Sequence, residues 1–110
     1  MNDKYERQMK KGVLDMLILK LLQEKPKYGY QLISELKEKS NSVFVLKEGT
    51  LYPILYRLED EQLVESNWSA AAGKQLPRKY YSITEKGKAL LPELSQTWTR
   101  ISAGIQQIMN

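Results

Sequence analysis

The chain has 110 residues, 42% of them hydrophobic, which suffices for one domain with a small core or for one domain with an appended helix. It contains no cysteine and no histidine, which excludes disulfides, thiol chemistry, zinc fingers and imidazole catalysis. The formal net charge is +4, and segment 66–88 alone carries five basic residues and one acidic residue, which favours either a polyanionic partner or a solvated basic loop.

The first predicted element is a helix over residues 11–23, preceded by a polar segment, residues 1–10, that we expect to be ordered only in part. Two apolar stripes run along this helix at spacings of three and four. One stripe contains Leu14, Leu17, Ile18, Leu21 and Leu22, and the other contains Met9, Met16 and Leu19 with Gly12 between them. A helix that is apolar on two sides must bury both, so the second stripe predicts contact with a second copy of the chain.

This helix is not expected to cross a membrane. Its apolar run is interrupted by Asp15 and Lys20 and is too short for a bilayer, and no signal-peptide pattern precedes it. We therefore expect a cytoplasmic protein without a membrane partner.

Two more helices follow a break at Pro26. The first covers residues 30–39 and buries an apolar face that consists of Leu32, Ile33 and Leu36. The second covers residues 48–62 and has an apolar face, on which Leu51, Leu55 and Leu58 lie at i, i+4 and i+7. Between them, the "SNS" sequence at 40–42 predicts a turn, and the "VFVL" sequence at 43–46 favours a short strand.

A hairpin and a long helix complete the predicted chain. The segments "LVESNW" and "RKYYSI" favour strands, and "SAAAGKQLP" between them favours a small, basic hairpin tip. Thr84 is the expected N-cap of the last helix, in which Pro92 should cause a kink or a restart. The apolar residues of this helix are spaced three and four apart, as in a dimer seam: Leu91, Leu94, Trp98, Ile101, Ile105 and Ile108.

The order helix, helix, helix, hairpin, helix predicts a mainly α fold with a small β-hairpin. This arrangement is a winged helix–turn–helix with an added C-terminal dimerisation helix. Residues 1–84 would form the DNA-binding domain and residues 85–110 the dimerisation helix. Helix 48–62 is then the recognition helix, and the hairpin is the wing.

The first turns of helix 48–62 contain poor helix formers that suit contact with nucleic acid. Gly49 allows close approach of a sugar–phosphate strand, and Thr50 offers a hydroxyl group. Tyr52 and Pro53 offer rigid surface for a thymine methyl or a sugar, and Arg57 can reach a phosphate or a guanine edge. Each residue can also serve packing alone, but together, beside a basic hairpin, they favour DNA.

Three stretches carry a resemblance to a known family: "YGYQLISEL", "EGTLYPILYRLEDEQLV" and "RKYYSITEKGKALL". With them the chain resembles the PadR-like family of bacterial transcription regulators, from about residue 11 to residue 98. The resemblance implies a homodimer built through the first and last helices, a wing on the DNA backbone, and repression relieved by a ligand. Gln62 departs from the pattern, because these regulators commonly have glycine there, which leaves the end of the recognition helix undefined.

The resemblance also implies which residues face double-stranded DNA. Backbone amides at the start of the second helix would meet phosphate, and the returning strand of the wing would place Arg78 and Lys79 on phosphate. By position, the DNA-binding residues are Tyr28, Gly29, Thr50, Leu51, Tyr52, Pro53, Lys74, Arg78 and Lys79, to which the residue pattern of the recognition helix adds Arg57.

Trp98 lies at a seam position, where the spacing alone favours an ordinary core residue. The resemblance implies another role, because multidrug-responsive members carry a tryptophan here, and paired rings from two subunits sandwich flat aromatic ligands. The binding site for such an effector would be lined by Met9, Gly12, Asp15, Met16, Leu19, Ser95, Trp98 and Ser102. Asp15 would attract a cationic ligand if it faces this cavity, or else it lies in solvent or pairs with a nearby lysine or arginine.

The implied mechanism is mechanical. Two recognition helices must match major grooves about 34 Å apart, and a ligand between the first and last helices would change that separation. An alternative function is a winged-helix protein–protein interaction module without sequence-specific DNA binding, which would lack a steep dependence on salt. We predict no enzyme, no cofactor and no metal site, because the adjacent acids Glu59, Asp60 and Glu61 spread around their helix.

Overall fold

The computed structural model describes residues 3–69 and 76–110. The helices and strands are, in chain order, α1 (Asp3–Lys11), α2 (Leu14–Glu24), β1 (Lys27–Tyr28), α3 (Gly29–Lys39), α4 (Glu48–Asp60), β2 (Val64–Trp68), β3 (Lys79–Ile83) and α5 (Glu85–Met109). The strands form one antiparallel sheet in the order β1-β3-β2. The predicted class is confirmed: the fold is mainly helical, with the small sheet of a winged helix and a long C-terminal helix.

The N-terminal part of the chain differs from the prediction. Asp3–Lys11 forms a helix of its own where partial order was expected, and the predicted helix over 11–23 begins only at Leu14. Gly12 and Val13 separate the two helices in a turn, because glycine is a poor helix former and the Val13 side chain provides no hydrogen bond to cap α2. Within the described ranges 3–69 and 76–110, no helix has the length and hydropathy needed to span a bilayer.

Two short segments exchange their predicted roles. Lys27 and Tyr28 form strand β1, which pairs with β3 and turns the expected two-stranded ribbon into a three-stranded sheet. Segment 43–46, expected to favour a strand, has none. Its backbone groups bind side chains instead: the Phe44 amide donates to Ser40 Oγ at 2.9 Å, and the Val43 carbonyl accepts from Lys10 Nζ.

The core lies where α2, α3 and α4 meet the sheet and the first turns of α5. The apolar stripes predicted for the helices supply most of it, and the fully buried side chains are Ile18, Leu19, Leu32, Leu51, Leu55, Leu58 and Tyr81. Leu91 is the last core residue of α5. The predicted restart at Pro92 does not occur, because Pro92 is exposed inside a continuous helix and the carbonyl it leaves unbonded can face solvent.

Thr84 connects the end of α4 to the start of α5. Its hydroxyl accepts from the Gly87 amide at 3.1 Å, which confirms the predicted N-cap, and it donates to the Gln62 carbonyl at 2.7 Å. A Cβ at Gly87 would lie 2.3 Å from the Leu63 carbonyl oxygen. The wing and the long helix therefore meet in a junction too close for any side chain at this position.

Helix α4 ends in a Schellman motif. The Leu63 amide donates to the Leu58 carbonyl and the Gln62 amide to the Glu59 carbonyl, both at 2.9 Å. Gln62 has φ 63°, the left-handed conformation in which glycine is favoured. The chain therefore forms the helix end that glycine would form, and a glutamine adopts it at an energetic cost.

We expect Gln62→Gly to stabilise the fold by about 1 kcal/mol, because glycine adopts the left-handed conformation without the clash of a Cβ atom. Urea unfolding followed by circular dichroism measures the change. Gln62→Ala is the matched control, since it removes the same side chain but keeps the Cβ. A control as stable as Gln62→Gly would show that backbone strain is not the cause.

A buried lysine ties α2, β1 and α3 together. The side chain of Lys27 is only 1% exposed, and its Nζ lies 2.7 Å from Glu35 Oε1 and 3.6 Å from Glu24 Oε1. Lys39 completes the cluster, at 2.9 Å from the same Glu24 oxygen and 3.4 Å from the same Glu35 oxygen. Nothing in the local sequence pattern predicted this cluster, because its members are brought together by the break at Pro26 and by the pairing of β1.

Candidate nucleic-acid interface

A concave surface lies between the start of α3, one side of α4 and the wing. We call it the wing cleft; its volume is about 620 Å³, and it is lined by Tyr28, Gly29, Tyr30, Tyr52, Tyr56, Trp68, Arg78 and Lys79. Five of these residues were predicted to face DNA. Tyr30, Tyr56 and Trp68 were not among the predicted residues. The structure shows that these side chains are between 49% and 68% exposed, which is unusual for large aromatic residues.

Aromatic rings hold both cations of the wing cleft. The guanidinium carbon of Arg78 lies 4.5 Å from the centroid of the Tyr28 ring, and Lys79 Nζ lies 5.5 Å from the Tyr56 ring. Such cation–π contacts orient a side chain but leave its charge available. Among the residues that the structure describes, none that lines the cleft is acidic. The cleft is therefore a rigid, cationic surface suited to an anionic ligand.

Gly29 has a packing role that the sequence pattern did not indicate. It is buried at the first position of α3, and a Cβ there would lie 2.3 Å from the Tyr52 hydroxyl oxygen. Tyr52 in turn lies beside Tyr56, with ring centroids 6.0 Å apart. Burial, and secondly the charge of Glu48, raises the pKa of Tyr52, so its hydroxyl stays protonated and can donate a hydrogen bond.

The predicted DNA contact of Leu51 is wrong for its side chain. Leu51 is 0% exposed and packs in the core with Leu55 and Leu58. The three lie at i, i+4 and i+7 on the inner face of α4, so this helix turns Leu51 away from the surface that carries Tyr52.

The other exposed side of α4 opens onto a second groove. Thr50, Pro53 and Arg57 face α1 across a cavity of about 860 Å³, which we call the α1–α4 groove. None of these three predicted residues lines the wing cleft. Lys74, predicted for the wing tip, lies outside the described residues.

Arg57 forms ion pairs with two acidic side chains of the same chain. It donates from both terminal nitrogens to Asp15, at 2.7 and 3.0 Å, and also to Glu61 at 3.0 Å. Two carboxylates thus neutralise the half-exposed guanidinium, which would have to leave them in order to make its predicted contact with a guanine or a phosphate. For Asp15, the ion-pair alternative is confirmed: it joins α2 to α4 and does not face a cavity beside Trp98.

A third cavity, the Trp98 cavity, lies between α2 and α5 and has a volume of about 540 Å³. Its lining is mostly apolar and consists of Val13, Met16, Leu17, Lys20, Gln23, Phe44, Leu91, Pro92, Ser95 and Trp98. Three residues predicted for an effector, Met16, Ser95 and Trp98, meet here. Phe44 was missed, because it reaches the cavity from the loop before α4.

The other predicted effector residues do not line the Trp98 cavity. Leu19 is 0% exposed in the core of its own subunit, so its predicted place in an effector site is wrong. Met9 is 80% exposed on α1, and a Cβ at Gly12 would meet no atom within 4 Å. Ser102 lies one helical turn beyond Trp98.

The second half of α5 carries an apolar stripe without a partner in the described chain. Trp98, Ile101 and Ile105 are about half exposed, and Ile108 is 85% exposed. These are the seam positions predicted from spacing. An exposed apolar stripe of this length favours contact with another surface.

Comparisons with known proteins agree with the fold. The family model described as "Transcriptional regulator PadR-like family" matches residues 18–93. An uncharacterized protein of Lysinibacillus sphaericus is 40% identical over 101 residues, which cover 90% of each chain. The structure of a transcriptional regulator from Clostridium thermocellum superposes with a TM-score of 0.85 at 28% identity, covering 94% of this chain and 99% of that one.

A third relative is the negative transcriptional regulator PadR of Bacillus subtilis. It is 33% identical over 76 residues, which are 69% of this chain and 41% of that protein. Its structure in complex with operator DNA has a TM-score of 0.66 at 32% identity and covers 74% of this chain and 45% of that one. The chain thus spans less than half of B. subtilis PadR. From the matched family model and these relatives, the chain belongs to the transcriptional regulator PadR-like family.

Proposed function

We propose that this protein is a transcriptional repressor that binds operator DNA through the wing cleft and the exposed side of α4 that carries Tyr52. The observation that carries the proposal is the convergence of Arg78 and Lys79 with a group of tyrosines on one surface that has no acidic residue among its described lining. One relative supports both the direction of regulation and DNA as the ligand: B. subtilis PadR is a negative regulator, and its structure has been determined in complex with operator DNA.

Each part of the cleft has a distinct task in this proposal. Arg78 and Lys79 contact phosphates and supply most of the affinity, because charge neutralisation releases counterions from the duplex. Tyr52 and Tyr56 present hydroxyl groups and ring faces to the groove, where they contribute sequence preference. Packing on Gly29 holds the Tyr52 ring in place before DNA arrives.

Selection from fragmented DNA of the source genome tests the proposal. Recovered duplexes are labelled, and binding is measured by fluorescence anisotropy at several salt concentrations. We expect enrichment of palindromic sites and an affinity that falls steeply as salt rises. Equal binding to every fragment, or binding that salt does not weaken, contradicts the proposal and favours a protein-docking module.

The palindrome requires two copies of the chain. We propose a homodimer in which the apolar stripe of α5 and the outer face of α1, with Tyr5 and Met9, supply the contact. The division into a DNA-binding part, residues 1–84, and a dimerisation helix, residues 85–110, follows from this arrangement. Two wing clefts would then lie about 34 Å apart along the duplex.

Trp98→Lys should convert the dimer to monomers at micromolar concentration, because it places two charges inside an apolar seam. Sedimentation velocity measures the change. Gln96→Lys adds the same charge to an exposed position away from the stripe and should leave the dimer intact. A dimeric Trp98→Lys variant would show that the contact lies elsewhere.

We also propose that a flat aromatic effector binds the Trp98 cavity and relieves repression. Because Asp15 is paired with Arg57, it does not select a cationic ligand there. Among the described lining residues, Lys20 carries the only charge, which favours a neutral or anionic compound. Such a ligand lowers DNA affinity only if it binds the DNA-free arrangement more tightly than the bound one.

Anilinonaphthalene sulfonate, a flat anionic dye, is a suitable probe of this cavity. In a Trp68→Phe background Trp98 is the remaining tryptophan, so quenching of its emission reports binding. We expect saturable quenching, and no dye binding at this site in Trp98→Ala. Dye binding that leaves Trp98 emission unchanged would count against the site.

A further inference from the structure

Segment 43–46 separates the two inner cavities and leads directly into the recognition helix. Phe44 lines the Trp98 cavity, whereas Val45 and Leu46 line the α1–α4 groove. The next residue, Lys47, is the N-cap of α4, and its carbonyl accepts from the amides of Thr50 and Leu51, both at 3.0 Å. Only two residues therefore separate Phe44, in the wall of the Trp98 cavity, from Lys47, which accepts the first hydrogen bonds of α4.

Contacts from two helices hold this segment. Lys10 of α1 donates to the Val43 carbonyl, and its Nζ lies 5.6 Å from the centroid of the Phe44 ring. From α3, Ser40 Oγ accepts from the Phe44 amide at 2.9 Å and donates to the Leu36 carbonyl at 2.6 Å. The position of Phe44 is thus coupled to α1, to α3 and to the cavity at the same time.

The turn before the segment is the C-terminal end of α3. The Ser42 amide donates to the Lys37 carbonyl at 2.8 Å and the Asn41 amide to the Glu38 carbonyl at 3.3 Å, as in a Schellman motif. Asn41, with φ 53°, is a residue type that accepts the left-handed conformation, whereas Ser42, with φ 65°, adopts it at a cost. Release of Phe44 would therefore allow Ser42 to leave this conformation.

We propose that Phe44 is the positioning residue that transmits occupancy of the Trp98 cavity to the start of the recognition helix. This inference rests on the effector site proposed above and names its route within one subunit. A flat ligand that enters between Met16 and Trp98 displaces the Phe44 ring from the cavity wall. The backbone from Phe44 to Lys47 moves with it, and the first turn of α4 loses the carbonyl that caps it.

This route differs from a change in the spacing of two subunits, because it acts on the helix that carries Tyr52 without moving the dimer contact. It also predicts where the change begins. The amides of Thr50 and Leu51, which bond to Lys47, should respond first, whereas the Glu61 and Leu63 amides at the far end of α4 should not.

Amide hydrogen exchange with and without anilinonaphthalene sulfonate tests the route. The full-length protein carries Trp68→Phe, and the dye is added until quenching of Trp98 is complete. We expect exchange at Thr50 and Leu51 to accelerate at least about fivefold on dye binding, with little change at Glu61 and Leu63. In Phe44→Ala, compared at its own dye saturation, that acceleration should fall below about twofold.

Two further variants sharpen the test. Val43→Ala alters a neighbouring exposed side chain outside both cavity walls and should respond as the Trp68→Phe parent does. If Phe44→Ala does not fold or bind dye, Phe44→Leu replaces it and should show a reduced response, because the shorter side chain follows the ligand less closely.

The outcomes separate the two proposals. Absence of Trp98 quenching in the parent overturns the effector site and the route together. Full quenching with unchanged exchange at Thr50 and Leu51 overturns the route alone, and so does a response in the Phe44 variants equal to that of the parent. DNA binding through the wing cleft is untouched by each of these results.

Discussion

Arg78→Ala combined with Lys79→Ala is expected to lower the affinity for operator DNA at least about 100-fold, because each subunit then lacks two cations that neutralise phosphates. The slope of log K against log salt should flatten by about one for each phosphate that is no longer neutralised. The decrease in affinity should be similar for operator and for unrelated duplexes, since phosphates carry no base identity. Fluorescence anisotropy at several salt concentrations measures all three quantities.

A matched control separates this local effect from net charge. Lys25→Ala with Lys37→Ala removes two exposed lysines outside the wing cleft and changes the formal charge by the same amount. We expect its affinity for DNA to stay within about a few-fold of wild type, because salt screens the interaction between these distant charges and the phosphates. Equal decreases in both double variants would show that the cleft has no special role.

Tyr28 connects this prediction to the structure. Arg78 lies against its ring, so Tyr28→Ala would leave the charge in place but free the guanidinium to move. If orientation contributes to binding, this variant weakens affinity less than the double variant does and leaves the salt slope unchanged. Charge and orientation can therefore be measured separately in the same assay.

The second large effect concerns the fold. We expect Glu35→Ala to destabilise the protein by about 3 kcal/mol, because it removes the nearest partner of a buried charge. Lys27 is 1% exposed and would keep only Glu24, at 3.6 Å and itself half exposed. Urea unfolding monitored by circular dichroism gives the free energy of unfolding.

Lys27→Met is the informative control for that variant. It removes the buried charge together with its need for a partner, and methionine fills a similar volume, so the protein should be destabilised by no more than about 1 kcal/mol. Adding Glu35→Ala to Lys27→Met should then lower the free energy of unfolding only slightly further. A Glu35→Ala variant no less stable than Lys27→Met would show that the lysine is not dependent on this pair.

The same cluster determines how stability changes in acid. Burial by itself raises the pKa of Glu35, but hydrogen bonds and charges of Lys27 and Lys39 outweigh it, so that pKa lies below its ordinary value of 4.5. The hydrogen bond from Lys39, followed by the charge of Lys27, likewise lowers the pKa of Glu24. As pH falls, Glu24 and Glu35 therefore become protonated at a higher pH in the unfolded chain than in the folded protein.

Stabilisation from the cluster is complete above about pH 5 and is lost as pH falls through the lowered pKa values. The free energy of unfolding, measured in urea from pH 6 down to about pH 3, should decline for wild type. In Lys27→Met the decline should be shallower, because its carboxylates lose the cation that lowers their pKa. If Lys27→Met and wild type lost stability equally as pH falls, the cluster would not be the cause of the decline.

Much of the fold could be predicted from short-range patterns. Spacings of three and four located the inner faces of α2, α3 and α4, and Thr84 marked the start of α5. The strands of the wing followed from β-biased residues around a small, basic stretch. These features depend on neighbours within a few residues, so the order of the chain reveals them directly.

The predicted site was only partly right, for a reason that is visible in α4. Its spacing already indicated that Leu51 faces the core, yet the resemblance assigned Leu51 and Tyr52 together to DNA as one run of residues. A helix distributes successive side chains around its axis, so Leu51 is buried, Tyr52 faces the wing cleft and Thr50 faces α1.

Other features needed contacts between distant parts of the chain. Asp15 and Arg57 are 42 positions apart, and only their packing across the core showed that the two form an ion pair. Strand β1 exists because Lys27 and Tyr28 pair with β3, and two residues carry no strand pattern of their own. Phe44 reaches the Trp98 cavity through a turn whose left-handed residues are not glycine.

The sequence by itself determined helices α2 to α5, the strands of the wing, the cationic segment and the apolar stripe of α5, because periodicity and local charge encode them. Only the tertiary structure decided which side of α4 meets Arg78 and Lys79, which arginine is already neutralised and which loop joins the Trp98 cavity to the recognition helix. Those choices depend on how helices pack across the core, and packing joins residues whose separation along the chain carries no pattern.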